Sequence, residues 1–130
     1  MANENNSSPK LDNIVFSNNT ARFGGGMYND AQSSPTIGHS MFNGNVATDS
    51  GGGMLTMGNS RPIISHTTFW ANSAIYGGGM ENESAALIVS SSFLSNTATL
   101  VGGGAAFWIC LKKSPLCVGG VEGITKLKIV

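Results

Sequence analysis

The 130 residues make one domain by length, with about two-thirds of the unfolded chain's surface open to burial, so one modest core is expected. Seven Lys and Arg balance seven Asp and Glu, which excludes a globally basic nucleic-acid surface and an anchor for acidic membranes. Eighteen glycines, abundant Ser, Asn and Thr and few charges describe strands and turns rather than surface helices.

Taken from the start, residues 1–8 are polar and read as a disordered lead-in. Met1 to Lys10 holds no apolar stretch of the signal-peptide kind. From Pro9 a repeat takes over: a Phe, an Asn three residues on, then a glycine triplet followed by an apolar residue. It occurs as Phe16/Asn19 with Gly24-Gly25-Gly26-Met27, Phe42/Asn45 with Gly51-Gly52-Gly53-Met54, Phe69/Asn72 with Gly77-Gly78-Gly79-Met80, and Phe93/Asn96 with Gly102-Gly103-Gly104-Ala105. The phenylalanines are 26, 27 and 24 residues apart, a period that indicates a solenoid whose units bury their apolar faces on one another.

Three glycines inside a helix would cost roughly 3 kcal/mol relative to alanine, so helical repeats are excluded. Short strands joined by tight turns remain, each coil parallel to the one before at ~4.8 Å. The expected fold is therefore all-β: a single-stranded parallel β-helix of about four coils, at 9–34, 35–61, 62–85 and 86–108, and a piece of a longer solenoid. The columns Leu11/Ile37/Ile64/Ile88, Phe16/Phe42/Phe69/Phe93, Ala21/Ala47/Ala74/Ala98 and Met27/Met54/Met80/Ala105 are expected to point inward and stack. The column Asn19/Asn45/Asn72/Asn96 is expected at a turn, in the left-handed conformation, with amides bonded from rung to rung.

The tail, 109–130, lacks the motif and carries four lysines against one glutamate. It reads either as a last strand with protective lysines or as a truncation. Its Cys110 and Cys117 have no redox spacing and read as structural thiols. The longest apolar run, Gly104 to Leu111, is far short of the ~20 residues of a membrane helix, so no membrane span is expected.

Two groups of residues suggest chemistry. Asp30, Glu81 and Glu83 fall on the strand after the triplets, expected to face outward with Tyr28, Leu55, Met57, Ala106 and Trp108. Glu81 and Glu83, two apart on a strand and so about 7 Å apart, match the carboxylate separation of inverting glycoside hydrolases. No basic residue accompanies them there, and a solvated face is the preferred reading. His39 and His66 share the column Asn13/His39/His66/Ser90, one rung apart at ~4.8 Å. They present two metal ligands without the third that zinc requires, so a polar ladder at a turn is preferred. The triplets are not followed by Lys-Ser or Lys-Thr, which removes the phosphate-loop reading, and no cofactor is indicated.

The paired Phe-x-x-Asn and Gly-Gly-Gly-apolar motifs over residues 9 to about 108 resemble the polymorphic outer-membrane protein repeat of chlamydial-type surface adhesins and autotransporters. The resemblance implies a right-handed β-helix on a cell surface or in a secreted protein, with an adhesive or recognition role toward a host surface or polysaccharide. The competing expectation is a carbohydrate-active enzyme, a lyase or glycoside hydrolase, using Asp30, Glu81 and Glu83. Uncapped strand edges at both ends of such a stack lead us to expect end-to-end self-association.

Overall fold

The architecture was obtained as a computed structural model, which describes residues 1–107. The chain opens with β1 (Ala2–Asn3) and then winds through four coils of four strands each. The first coil holds β2 (Lys10–Asp12), β3 (Val15–Ser17), β4 (Thr20–Phe23) and β5 (Met27–Asn29). The second holds β6 (Thr36–Gly38), β7 (Met41–Asn43), β8 (Val46–Ser50) and β9 (Met54–Thr56). The third holds β10 (Ile63–Ser65), β11 (Thr68–Trp70), β12 (Ser73–Tyr76) and β13 (Met80–Asn82), and the fourth β14 (Leu87–Val89), β15 (Ser92–Leu94), β16 (Thr97–Val101) and β17 (Ala105–Phe107).

Like strands of successive coils pair in parallel, giving four sheets: β14-β10-β6-β2, β15-β11-β7-β3, β16-β12-β8-β4 and β1-β5-β9-β13-β17. This is a parallel β-solenoid. Its registers place Leu11 on Ile37, Ile37 on Ile64 and Ile64 on Ile88, and likewise Phe16 on Phe42, Phe42 on Phe69 and Phe69 on Phe93. The four Phe rings form one file, with centroids 4.7, 4.7 and 4.6 Å apart and planes within 11° of parallel. With Met27, Met54, Met80 and the isoleucine file they make the core. Burying such a side chain fully stabilises by roughly 1.5–3 kcal/mol relative to leaving it exposed.

The strand before the triplet has four residues in coils one and three and five in coils two and four. The surplus residue is absorbed as a register shift between Ala21 and Phe23 and between Ala74 and Tyr76, and the stack continues unbroken. The triplet itself answers two demands. Gly51 takes φ +68°, which an L side chain adopts only under strain, whereas at Gly52 a Cβ would lie 2.5 Å from the Ser73 carbonyl oxygen of the next coil.

The segment read as a disordered lead-in is instead part of the winding. β1 pairs with β5, so that Ala2 lies on Tyr28 and Asn3 on Asn29, and the amino terminus donates to Gly26 O at 2.8 Å. Asn5 and Asn6 turn the corner at φ 58° and 61°, as Ala31 and Gln32 do one coil later at 50° and 64°. The sequence Asn-Asn-Ser-Ser-Pro at 5–9 is thus the counterpart of Ala-Gln-Ser-Ser-Pro at 31–35. The tail, with Trp108, Cys110 and Cys117, lies outside the described residues.

Candidate functional site

The corners carry most of the polar architecture. At the bend between the first and second strands of each coil, Asn13, His39, His66 and Ser90 adopt φ between 46° and 56°. At the next bend the left-handed residue is Asn18, Gly44, Ala71 or Ser95, at φ 54° to 63°. The left-handed position is therefore the residue before each ladder Asn, not the Asn itself. The turn residue sends the chain around the corner, and the following residue is thereby aimed inward.

That inward Asn is fully used. Asn72 Oδ1 accepts from both the backbone N–H and Nδ2 of Asn45, at 2.9 Å each. Asn72 Nδ2 donates forward to Asn96 Oδ1 and back to the Phe42 carbonyl, also at 2.9 Å each. Asn45 repeats the pattern, accepting from Asn19 and donating to Asn72 and to Phe16 O. Both are 0% exposed, so two donors and two acceptors are satisfied without water.

Two further ladders went unread in the sequence. Ser40, Thr67 and Ser91 follow the first-corner residues, and their hydroxyls accept the backbone N–H of Ile14, Ser40 and Thr67 in turn. Each hydroxyl also donates to the carbonyl two residues back. Asn3, Asn29, Thr56 and Asn82 form a third buried column, with Asn3 Nδ2 donating to Asn29 Oδ1 at 3.2 Å. The signal was present: a polar residue two places after Met27, Met54 and Met80, again one period apart.

The carboxylates do not form the open outward face expected of them. Leu55, Glu81 and Ala106 are buried at 2, 3 and 1% exposure, and Tyr28 is half-buried. Asp30 serves a structural purpose: Oδ2 accepts the Tyr28 hydroxyl at 2.8 Å and Oδ1 accepts the Ala31 N–H at 2.6 Å. A Cβ on Gly58, in the next coil, would collide with Asp30 Oδ1. Glu83 is exposed, and its backbone N–H continues the ladder to Thr56 O at 2.8 Å. Desolvation first, then the charges of Glu81 and Asp30, push its carboxyl above the usual carboxylate range.

Tyr28 feels the same field. Desolvation, its hydrogen bond to Asp30 and the nearby carboxylates push its hydroxyl up to about 12. A group raised in the folded state stabilises below its ordinary value of 10.0, and that contribution is lost as pH climbs through about 12. Near-ultraviolet titration of the wild type minus Tyr28→Phe is expected to give a single phenolate step with its midpoint at about 12. A step at the ordinary tyrosine value would show that the Tyr28–Asp30 bond does not form.

His39 and His66 do come together, with ring centroids 5.0 Å apart and planes 12° from parallel. Stacked rings hold their nitrogen lone pairs side by side. The pair offers two ring-nitrogen ligands, fewer than the three or four protein ligands of a zinc site. His39 Nδ1 lies 2.9 Å from Asp12 Oδ1 instead, on an exposed surface where such a pair contributes little. Among the described residues no group of three or more His, Cys, Asp or Glu converges on a common point. Nor is any helix of the described residues long and apolar enough to cross a membrane.

On the third and fourth coils the outer faces display apolar pairs. Trp70 lies beside Leu94 in neighbouring rungs of one sheet, and Ile63 beside Leu87 in another, all four between 40 and 46% exposed. The equivalent places in the first two coils are Ser17 and Asn43, and Lys10 and Thr36. No family model, no curated protein and no solved structure matches the chain.

Proposed function

We propose that the chain is a recognition module of a cell-surface or secreted protein, a rigid β-solenoid that contacts polysaccharide through the outer faces of its third and fourth coils. The observation that carries this reading is the pair of exposed rows, Trp70/Leu94 and Ile63/Leu87, held on flat parallel strands. Exposed apolar rows of this kind mark interaction surfaces, and Trp anchors such contacts because one rigid side chain offers a large apolar face. The backbone beneath is fixed by the Phe file and the Asn ladder, so little ordering cost is added on binding. The Phe-x-x-Asn and glycine-triplet repeat, in its resemblance to polymorphic outer-membrane protein repeats, supports the surface location and the adhesive role.

The test is tryptophan fluorescence in a Trp108→Phe background, titrated with pectin, alginate and related polymers. Saturable quenching or a blue shift is expected with at least one polymer, and Trp70→Ala should weaken binding by about tenfold or more while leaving the circular dichroism unchanged. No saturable signal with any polymer, or affinity indifferent to Trp70→Ala, rejects the reading. A second reading, hydrolysis or lyase cleavage of the same polymers, draws on the raised carboxyl of Glu83 beside Glu81 and Asp30, the bias a general acid needs. New reducing ends or unsaturated products that vanish in Glu83→Gln would put this reading first.

A further inference from the structure

The sheet β16-β12-β8-β4 is not flat. Ser73 pairs with Val46 on one side and Thr97 on the other, and Tyr76 pairs likewise with Ser50 and Val101. Between those two points β12 has two residues, Ala74 and Ile75, whereas β8 and β16 have three each. A surplus residue makes a strand bow, and the exposures give the direction. Thr48 and Thr99 are exposed, while Ile75 between them is half-buried and Ala74 is buried. The third coil is thus the bed of a trough whose banks are the second and fourth.

The trough encloses about 430 Å³, inside the range of about 300–1,000 Å³ in which small-ligand sites fall. Ala47, Ala74 and Ile75 lie along its bed and Thr48, Thr97 and Thr99 along its banks. It adjoins the Trp70/Leu94 row. Asn72 and Asn96 are held in the inward ladder, so Trp70 and Ser73 stand on either side of one corner, as Leu94 and Thr97 do one rung away. A chain molecule lying on Trp70 and Leu94 can therefore continue into the trough.

The banks offer hydroxyls and nothing ionisable. Thr99 Oγ1 donates its hydrogen to Ala74 O at 3.3 Å, which leaves its lone pairs to accept. Ile75 adds an apolar surface at the bed. A pyranose ring has the matching character, with an apolar C–H face and a rim of hydroxyls that donate and accept. Residues 62–107 contain Glu81 and Glu83 and no Lys or Arg. The charges on the trough's own sheet, Arg22 and Asp49, pair with each other at 3.7 Å. An acidic polymer would meet no spare cation on these coils, and two like charges instead.

We propose that the trough over β12 is a sugar subsite, and that it selects an uncharged glycan over a polyuronate. The trough takes this role only if the Trp70 face binds polysaccharide, as proposed above; it adds a second place of contact and the charge class of the polymer. Trp70 and Leu94 hold the chain by apolar contact on one side of the corner. Thr48, Thr97 and Thr99 take its hydroxyls on the other, and the absence of any Lys or Arg from residues 62–107 works against acidic chains.

Calorimetric titration of the full chain tests this with polymers that differ in charge. Fully methyl-esterified pectin is set against polygalacturonate of the same backbone, and galactan and glucomannan against alginate, in about 0.15 M salt with a chelator to remove calcium bridges. At least one uncharged polymer is expected to bind about tenfold or more tightly than either acid. Thr99→Val removes a bank hydroxyl and keeps the branched shape, and Thr48→Arg sets a cation over the bed. Each should weaken uncharged binding about tenfold, and Thr48→Arg should also admit polygalacturonate. The two positions lie on different coils, and circular dichroism reads any folding defect independently. Wild-type binding of an acid as tight as that of every uncharged polymer overturns the selectivity. Uncharged binding that Trp70→Ala weakens but both trough variants leave unchanged overturns the subsite. Either result leaves the Trp70 surface standing, whereas no binding to any polymer removes both.

Discussion

Asn72→Ala is expected to destabilise the protein by about 3–5 kcal/mol, the largest effect of any single polar truncation in the stack. The substitution leaves Asn45 N–H and Nδ2 without their acceptor and removes the amide donation to the Phe42 carbonyl and to Asn96 Oδ1, which keeps the backbone N–H of residue 72, in a site closed to water. Each orphaned buried group costs about 1–3 kcal/mol, and the deleted volume adds to it. Urea denaturation followed by circular dichroism measures the loss. Asn72→Asp provides the control: it retains an acceptor for Asn45 but sets a carboxylate against the Phe42 carbonyl and the Asn96 oxygen, so it should rescue little. A loss below about 1 kcal/mol for Asn72→Ala would mean that water replaces the amide and that the ladder is not dry.

Gly52→Ala should be comparably severe for a different reason. The added Cβ would fall 2.5 Å from Ser73 O and 2.7 Å from Ser73 N, and nearer still to Gly78 O, all main-chain atoms of the third coil. No rotamer change relieves a contact with backbone. The second and third coils must part along the sheets they share, at a cost of more than about 3 kcal/mol. Because coils touch only their neighbours, the damage should be local, and thermal melting should divide into two phases where the wild type shows one. Gly51→Ala meets backbone within its own coil, where the Cβ would collide with Met54 O, and adds the left-handed conformation at φ +68°. A single cooperative transition for Gly52→Ala with an unchanged midpoint would refute the close approach of these rungs.

The period of the apolar residues was enough to place the interior. Leu11, Phe16, Ala21 and Met27 recur at fixed offsets, and a chain whose side chains recur that way can bury them only by winding. What the pattern did not disclose was conformation at single residues. Asn is the commonest left-handed residue after glycine, so Asn19, Asn45, Asn72 and Asn96 were natural candidates for the turn, yet Ala71 and Ser95 hold that conformation instead. The surrounding ladder fixes them there and pays the local cost. The polar columns of Ser40, Thr67 and Ser91 and of Asn29, Thr56 and Asn82 were hidden because polar residues in a polar-rich chain draw no notice until neighbouring rungs are superposed. Similarly, Glu81 and Leu55 alternate as outward residues should, and their burial is a matter of what covers a face, which strand periodicity does not encode. Residues 1–8 look like a loose lead-in because their composition is polar, while their match to 27–34 lies in register with the repeat.

Within the Asn column, Asn19, Asn45 and Asn72 each give one amide N–H to the Asn of the next higher coil, and Asn45, Asn72 and Asn96 each receive from the next lower one, while the second N–H of Asn45 and of Asn72 turns to a main-chain carbonyl. Their dipoles consequently add head to tail instead of cancelling as strand dipoles do, and each polarises the next. The molecule thus acquires an electrical direction along its length, oxygen-tipped at the first coil, that would grow with every coil appended and reverse nowhere within it.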